Sequence, residues 1–347
     1  MTVEDHAAGA EIHMHPGGQG VWQARMLRRL GLGVRLCCAL TGEVGRVQRH
    51  LIEEDGIEVL AVQREGRGAA YVHDRRSGER VAIAEEDGDP LGRLELDELY
   101  GLVFGSALDS TVTILSGPAG DDTVPADMYR RLAADLRAAG ATVAVDLAGE
   151  RLQAAIDGGV ALVKVSDEEL DRDGIAHAPD GDTSSILAAM HAMRDRGIGT
   201  VIVTCASAPL LLLDATGLIS VEPPTLEVAD HRGAGDSLFA GVVSGLVQGE
   251  TPREAITLGA AAGAINVTRH GLGSSDPETV ARLRDEVVVT VLTDVDRPVS
   301  GRVTPDGLAA LAEQSDPDPN GAPDPHPAPP EPSPTPPPIP IRRGPLP

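Results

Sequence analysis

The sequence has few aromatic residues, a single lysine and no long apolar run. Only 2% of the 347 residues are aromatic, and Lys164 is the only lysine. Because no stretch reaches 18 apolar residues and no charged-then-apolar leader is visible, we expect a cytoplasmic protein that does not enter the membrane. With so few aromatic side chains, the core must be built from small aliphatic residues.

Positive charge and metal-binding cysteine patterns are also scarce. The formal net charge of −24 argues against nucleic acid or an anionic membrane as a partner, because a basic face could not outweigh it without strong segregation. An anionic substrate would need a locally positive pocket. Cys37, Cys38 and Cys205 have no metal-ligand spacing and predict buried free thiols.

The most informative stretch is DHRGAGDSLFAG at 230–241, a polar turn with two glycines that leads into an apolar helix. The backbone N–H groups of Ala234, Gly235 and Asp236 are then the unpaired donors of the first helical turn, which is a favourable place for an anion. Asp236 can accept a proton from a hydroxyl that attacks a phosphate. The alternative is that Asp236 only caps the helix and the glycines only make the turn.

Helical and strand patterns alternate along most of the chain. This alternation predicts an α/β protein with a doubly wound, mostly parallel sheet that is covered by helices on both faces. A hairpin at about 69–84 interrupts the alternation and predicts either a lid or subunit contact, or simply an extra edge hairpin.

Pattern and composition divide the chain into four parts. Residues 1–15 are a short N-terminal segment in which 1–10 carry no pattern, and residues 16–285 carry the alternation. Residues 286–315 are an ambiguous C-terminal extension. The proline-rich tail at 316–347 is expected to be disordered, with a proline-motif ligand as the alternative.

Six motifs in order resemble the ribokinase/PfkB family of sugar kinases, most closely its 1-phosphofructokinase-like branch. They are GGQGVW at 17–22, the hairpin at 69–84, SGP at 116–118, KVSDEEL at 164–170, DHRGAGD at 230–236 and the run 261–275. The resemblance covers about residues 16–285 and implies a ribokinase-like three-layer α/β/α fold. It also implies that the hairpin is a small lid and that the protein can form a homodimer.

The resemblance implies a role for each matching residue. Asp236 becomes the base for a primary hydroxyl of a sugar or sugar phosphate, and ATP with Mg²⁺ becomes the phosphoryl donor. The remaining implied contacts are Gly233, Ala234 and Gly235 as the anion hole; Lys164, Thr204 and Gly263 at the nucleotide; Gly17, Gly18 and Gln19 at the sugar; Glu169 at magnesium through water; and Asp230 with Ser275 at a monovalent cation such as K⁺.

The sequence departs from the family's motifs on both the sugar-binding side and the nucleotide-binding side. Gln19 and Trp22 replace a lysine and an asparagine on the sugar side, Ser166 replaces the asparagine of the KPN motif, and Pro209 replaces a nucleotide-side glycine. The family's first strand has no counterpart in residues 1–16. A start upstream of Met1 would account for the missing strand, but not for the internal changes.

Two functions therefore remain in view. The first is an active ATP-dependent sugar kinase, which is favoured by GAGD at 233–236 and by a lysine kept at Lys164, where a compact charge near phosphates is required. The second is a catalytically weak or inactive member that binds nucleotide or sugar phosphate in a regulatory or structural role. The sequence does not name the sugar, because the residues that would contact it are the changed ones.

Overall fold

The computed structural model of the protein describes residues 1–6, 9–77, 81–118, 120, 122–177, 183–205, 208–226, 232–266 and 276–292. These residues belong to one compact unit, Met1–Pro298. Within them, every helix is too short or too polar to cross a bilayer. The predicted tail at 316–347 lies outside the described residues.

The described residues form ten helices and thirteen strands. The helices are α1 (Gln19–Arg29), α2 (Gly42–Glu54), α3 (Arg93–Ala107), α4 (Ala126–Ala138), α5 (Gly149–Gly158), α6 (Asp167–Arg172), α7 (Ser184–Asp195), α8 (Ala234–Val247), α9 (Pro252–Asn266) and α10 (Pro277–Arg284). The strands are β1 (Thr2–His6), β2 (Gly9–His13), β3 (Arg35–Thr41), β4 (Glu58–Arg64), β5 (Ala70–Asp74), β6 (Val81–Glu86), β7 (Thr113–Ser116), β8 (Val143–Asp146), β9 (Leu162–Ser166), β10 (Thr200–Thr204), β11 (Leu210–Asp214), β12 (Gly217–Glu222) and β13 (Val288–Leu292).

The largest sheet has seven strands in the order β13-β12-β11-β10-β9-β8-β7. Strands β7 to β10 are parallel, whereas β10 to β13 pair antiparallel, and β3 and β4 form a separate parallel pair. Alternate strand residues pack on opposite faces: Ile114 and Ala144 lie with α1, α8 and α9, and Leu115 and Val145 lie with α4, α5 and α7. This arrangement confirms the predicted three-layer α/β/α fold.

A smaller sheet combines the hairpin predicted at 69–84 with the N-terminal residues, in the order β2-β1-β5-β6. Strand β1, Thr2–His6, was not predicted, because residues 1–10 carry no pattern in the sequence. Main-chain hydrogen bonds hold it there: His73 N donates to Met1 O at 3.0 Å, and Arg75 N donates to Val3 O at 2.8 Å. Such pairing needs no alternation of apolar side chains, so the sequence carries little signal for it.

Helices α8 and α9 cross with their backbones in contact, because glycines line the crossing. A Cβ atom added at Gly241 would lie 2.7 Å from the Cα atom of Gly259, and one added at Gly259 would lie 2.7 Å from the carbonyl oxygen of Leu238. Helix α9 therefore supports the N-terminal half of α8 directly.

We predict that Gly259→Ala lowers the free energy of unfolding by about 1–3 kcal/mol, because the added methyl overfills this crossing. Gly101→Ala in α3 is the matched control, since its Cβ would meet no atom within 4 Å. The control should be neutral or more stable by about 0.5–1 kcal/mol, because alanine favours a helix over glycine. Urea unfolding measures both, and equal stability of the two variants would contradict the close crossing.

Candidate active site

The N-terminus of α8 has the geometry of an anion site. Its N-cap residue, Gly233, adopts the left-handed conformation with φ 69°, which favours glycine. The first bond into the helix runs from Ser237 N to Gly233 O at 2.9 Å. The N–H groups of Ala234, Gly235 and Asp236 therefore come before the regular helical bonds and can bind a negative group.

Asp236 is buried in the first turn of this helix, with 9% of its surface exposed. Burial, together with the negative charge of Asp146, raises the pKa of the Asp236 carboxyl to about 7. The positive charge of Lys164 and a hydrogen bond from Gln23 oppose this rise in pKa. A carboxyl with this pKa can accept a proton near neutral pH, as a general base must.

The single lysine lies beneath the same helix end. The Lys164 ammonium donates to Asp146 Oδ1 at 3.0 Å, and both side chains are almost completely buried. The two residues face each other on neighbouring parallel strands, at the carboxyl end of the sheet where α/β proteins bind ligands. A Cβ atom at position 235 would lie 2.9 Å from Lys164 Nζ, so Gly235 admits the ammonium beside the helix terminus.

Lys164 stays charged in this position. Burial alone would lower the pKa of its ammonium, but the carboxylates of Asp146, Glu169 and Asp236 raise it overall. The predicted nucleotide-binding lysine is therefore an internal charge, paired with Asp146 and close to the helix N-terminus.

Gln23, from α1, joins the two buried carboxylates. Its Nε2 atom donates to Asp146 Oδ2 at 2.9 Å and to Asp236 Oδ1 at 3.3 Å. Its Oε1 atom is buried and has no hydrogen-bond partner among the described residues. The sequence analysis missed both Gln23 and Asp146 as site residues. Asp146 had a usable signal, since it ends a buried parallel strand, whereas Gln23 had none beyond being polar in an amphipathic helix.

Glu169 and Ser166 form the capping box of the short helix α6. Glu169 Oε2 accepts hydrogen bonds from Ser166 N at 2.8 Å and from Ser166 Oγ at 2.9 Å. Capping thus accounts for the serine that replaces the family's asparagine. Among the described residues, no group of three or more His, Cys, Asp or Glu side chains is arranged to hold a metal ion.

The predicted sugar-side glycines lie between the four-stranded sheet β2-β1-β5-β6, which we call the lid sheet, and the end of β7. A Cβ atom added at Gly17 would lie 3.0 Å from Tyr71 Oη, and Gly18 is the N-cap of α1 with φ 108°. Gln19 Oε1 accepts a hydrogen bond from Gly117 N at 2.7 Å. The amide oxygen of Gln19 therefore fastens the turn after β7 to the start of α1.

Of the remaining predicted site residues, the structure describes Thr204 and Gly263. Thr204 ends β10, beside Ser166 in the sheet register. Gly263 is buried in the α8–α9 crossing, where a Cβ atom would lie 3.0 Å from Ala234 O, so close packing accounts for this glycine. Asp230 and Ser275, the predicted ligands of a monovalent cation, lie outside the described residues.

The raised pKa of Asp236 predicts a pH-dependent stability. Between the ordinary value of 3.8 and about 7, the folded protein holds a proton that the unfolded chain releases, so stability falls as the pH rises through this range. Asp236→Asn removes this titration. The free energy of unfolding of the variant, relative to the wild type, should therefore increase from pH 4 to about pH 7.

Urea unfolding at a series of pH values measures this difference. Glu98→Gln, which removes an exposed carboxylate on α3, is the control for the loss of one carboxylate elsewhere in the chain. A curve for Asp236→Asn that is parallel to the wild type would show that the Asp236 carboxyl ionises normally.

Comparison with known proteins shows the family of the chain. The family profile described as "pfkB family carbohydrate kinase" matches residues 2–279. The 1-phosphofructokinase of Escherichia coli K12 is 24% identical over 288 residues, covering 79% of this chain and 87% of that protein. The ATP-dependent 6-phosphofructokinase isozyme 2 of Mycobacterium tuberculosis H37Rv is 28% identical over 274 residues, covering 77% and 78%.

Solved structures show the same fold. Phosphofructokinase-2 from Escherichia coli in complex with potassium matches with a TM-score of 0.71 and 22% identity, covering 82% of this chain and 94% of that chain. A protein from Thermotoga maritima described as a possible 1-phosphofructokinase matches with a TM-score of 0.71 and 16% identity, covering 84% and 95%. Because the family profile spans most of the chain, this protein belongs to the pfkB family of carbohydrate kinases, which are enzymes.

Proposed function

We propose that the protein transfers the γ-phosphoryl group of ATP to a primary hydroxyl of a sugar or sugar phosphate, with Asp236 as the general base. The observation that carries this proposal is the position of the Asp236 carboxyl, buried at the first turn of α8 with a pKa raised to about 7 by burial and by Asp146. A base and a set of anion-binding amides at one helix end are what phosphoryl transfer to a hydroxyl requires.

In the proposed reaction the Asp236 carboxylate takes the proton of the sugar hydroxyl. The hydroxyl oxygen forms a bond to the γ-phosphorus while the bond to the leaving ADP oxygen breaks. The amides of Ala234, Gly235 and Asp236, beside the N-cap Gly233, stabilise the charge on the phosphoryl oxygens. Lys164 adds positive charge beneath these amides without leaving the interior.

The charges of the site suit a nucleotide that brings magnesium. Three carboxylates, those of Asp146, Glu169 and Asp236, act on the one ammonium of Lys164, so negative charge is in excess. Magnesium, when bound with ATP, would offset the charge of the phosphates. Because Glu169 Oε2 is committed to the cap of α6, its proposed action on the metal is through water.

A positive group lies on the sugar side. The guanidinium of Arg232, just before α8, acts electrostatically on Tyr71 and His73 of the lid strand β5. Burial and, after it, this positive charge lower the pKa of His73. A local positive charge in a chain of net charge −24 favours an anionic substrate, and therefore a sugar phosphate over a neutral sugar.

The second candidate is a weak or inactive member that binds nucleotide or sugar phosphate. It is favoured by Gln19, whose amide oxygen bonds Gly117 N and so serves the fold, at the position where the family has its sugar-side lysine. Thermal-shift titration with ATP and sugar phosphates, followed by an assay for ADP release, separates the two candidates. Binding of both ligands without turnover would select the second.

A monovalent cation such as K⁺ beside the anion hole is also part of the proposal. The Escherichia coli neighbour was solved in complex with potassium. In this chain, Asn266 Nδ2 donates to Arg232 O at 2.7 Å. Arg232 comes shortly after the proposed ligand Asp230 in the sequence, and Asn266 comes before the proposed ligand Ser275. The bond therefore connects the two stretches of sequence that carry the proposed ligands. Equal rates in potassium and in a bulky organic cation at matched ionic strength would contradict this part.

We further propose a homodimer formed through the lid sheet. Ile12, Val81 and Ile83 are large apolar side chains that this sheet leaves exposed, and Val81 and Ile83 both lie on the edge strand β6. Ile83→Glu should therefore convert the dimer to a monomer, as measured by light scattering after size-exclusion chromatography. Leu94→Glu, at an exposed apolar residue on α3, is the control and should leave the dimer intact. A wild-type protein that is monomeric would rule out the dimer.

We predict that Asp236→Asn lowers kcat by about 10²- to 10⁴-fold, because asparagine keeps the size of the side chain but cannot accept the proton. The affinity for ATP should change little, since the helix amides remain. Glu98→Gln is the control for expression and folding and should keep full activity. If Asp236→Asn retained more than about a tenth of the turnover, Asp236 would not be the base.

A further inference from the structure

The buried face of helix α1 carries one polar residue. Gln23 is 2% exposed, and the other buried residues of the helix are all apolar, namely Val21, Ala24, Met26 and Leu27. An amide at this depth costs free energy unless its polar atoms are paired. The contacts of its two polar atoms therefore show what this side chain contributes.

The nitrogen of the Gln23 amide has two carboxylates as partners. Nε2 donates to Asp146 Oδ2 at 2.9 Å and to Asp236 Oδ1 at 3.3 Å. A side-chain amide has two N–H donors, which is one for each carboxylate. Turning the amide over would place its oxygen, an acceptor, against two carboxylate oxygens. The two contacts therefore fix the orientation of the amide while the carboxylates are ionised.

The oxygen of the same amide gains nothing from its position. Gln23 Oε1 is buried and has no hydrogen-bond partner in the described part of the chain. A buried acceptor without a partner destabilises the folded state. A methionine at this position would fill a similar space without that cost. The fold alone therefore gives no reason for a glutamine here, whereas the two donated hydrogen bonds do.

Charged groups on three elements act on the Asp236 carboxyl. Burial, the charge of Asp146 at the end of β8 and the charge of Glu169 on α6 all raise its pKa. Lys164 on β9 lowers this pKa, but its ammonium donates its hydrogen bond to Asp146 Oδ1 at 3.0 Å. Among the described residues, the hydrogen bond that reaches the Asp236 carboxyl comes from Gln23.

The two oxygens of the Asp236 carboxyl therefore differ. Oδ1 accepts from Gln23, whereas Oδ2 accepts no hydrogen bond from the residues that the structure describes. A general base needs an oxygen that the hydroxyl of the substrate can reach, and it must stay ionised until the proton arrives. A donor on Oδ1 favours the ionised form and leaves Oδ2 for the substrate.

We propose that Gln23 is a positioning residue for the phosphoryl transfer: it holds the ionised Asp236 carboxylate through Oδ1, so that Oδ2 takes the proton of the sugar hydroxyl. This inference rests on the proposed function with Asp236 as the base. The donated bond is strongest when Asp236 is charged, so it stabilises the carboxylate relative to the acid. Its removal should therefore raise the pKa of Asp236 above the value of about 7.

Gln23→Met tests this effect, because it removes both donated bonds and keeps a side chain of similar length. The matched control is Gln248→Met at the other end of α8, where Nε2 of the glutamine donates to the neutral Ser244 Oγ at 3.1 Å. ¹³C NMR of the aspartate carboxyl groups gives the pKa of Asp236, whose signal is identified by its loss in Asp236→Asn.

We expect Gln23→Met to raise the pKa of Asp236 by about 1 pH unit, since hydrogen bonds to charged groups have about this strength. Gln248→Met should leave that pKa unchanged. The same pKa in Gln23→Met and in the wild type would overturn the proposal.

The pH dependence of kcat distinguishes positioning from mere support of the fold. The rise of kcat on the acid side follows the ionisation of the base, so in Gln23→Met its midpoint should move to higher pH by the same amount. The loss of rate should therefore be largest at low pH and should diminish at high pH, with little change in KM for ATP. A loss by one constant factor at every pH would show that Gln23 only supports the fold, which would overturn the proposal.

A measurement on Gln23 itself applies even if Gln23→Met does not fold. In ¹⁵N–¹H spectra of the wild-type protein, the side-chain N–H signals of Gln23 should move with a midpoint near pH 7, and in Asp236→Asn this movement should be absent. Signals that do not respond to pH in the wild type would overturn the proposal. The NMR measurements need no catalysis, so the expected titration without turnover would contradict the proposed kinase activity and not the contact between Gln23 and Asp236.

Discussion

The buried ion pair between Lys164 and Asp146 is the contact on which the site depends. An ammonium inside a protein is tolerated only when it is paired, and removing one partner of such a pair typically costs about 3–5 kcal/mol. Here the pair connects β9 to β8, and the second oxygen of Asp146 accepts from Gln23, which in turn reaches Asp236. One chain of polar contacts therefore holds two strands and two helices at the carboxyl end of the sheet.

The burial of Asp236 at the first turn of α8 also raises the pKa of its carboxyl. A solvated aspartate would be a weak base at neutral pH, whereas burial and the charge of Asp146 raise its pKa to about 7. This rise costs stability above the ordinary pKa, which is a common compromise at active sites. The close α8–α9 crossing supports the turn that bears Asp236, because the glycines of both helices let the backbones touch.

Local signals in the sequence were enough for the α/β fold, the hairpin at 69–84 and the start of α8. Each rests on short-range chemistry, such as the glycine before a helix or the alternation of strand and helix patterns. Gln23 was not predictable, because its two partners lie 123 and 213 residues away. Helix α3 was also not predicted, since Leu94 is exposed on it while Leu99 is buried and the apolar residues form no single stripe.

The central claim is that this site transfers a phosphoryl group to a sugar phosphate. The most direct measurement is ³¹P NMR of the wild-type protein with ATP, Mg²⁺ and either fructose 1-phosphate or fructose 6-phosphate as the acceptor. The account predicts one new phosphate ester for each ADP formed, with no ester in the absence of the acceptor. Release of ADP and inorganic phosphate without a new ester, or binding of both ligands without any reaction, would contradict it.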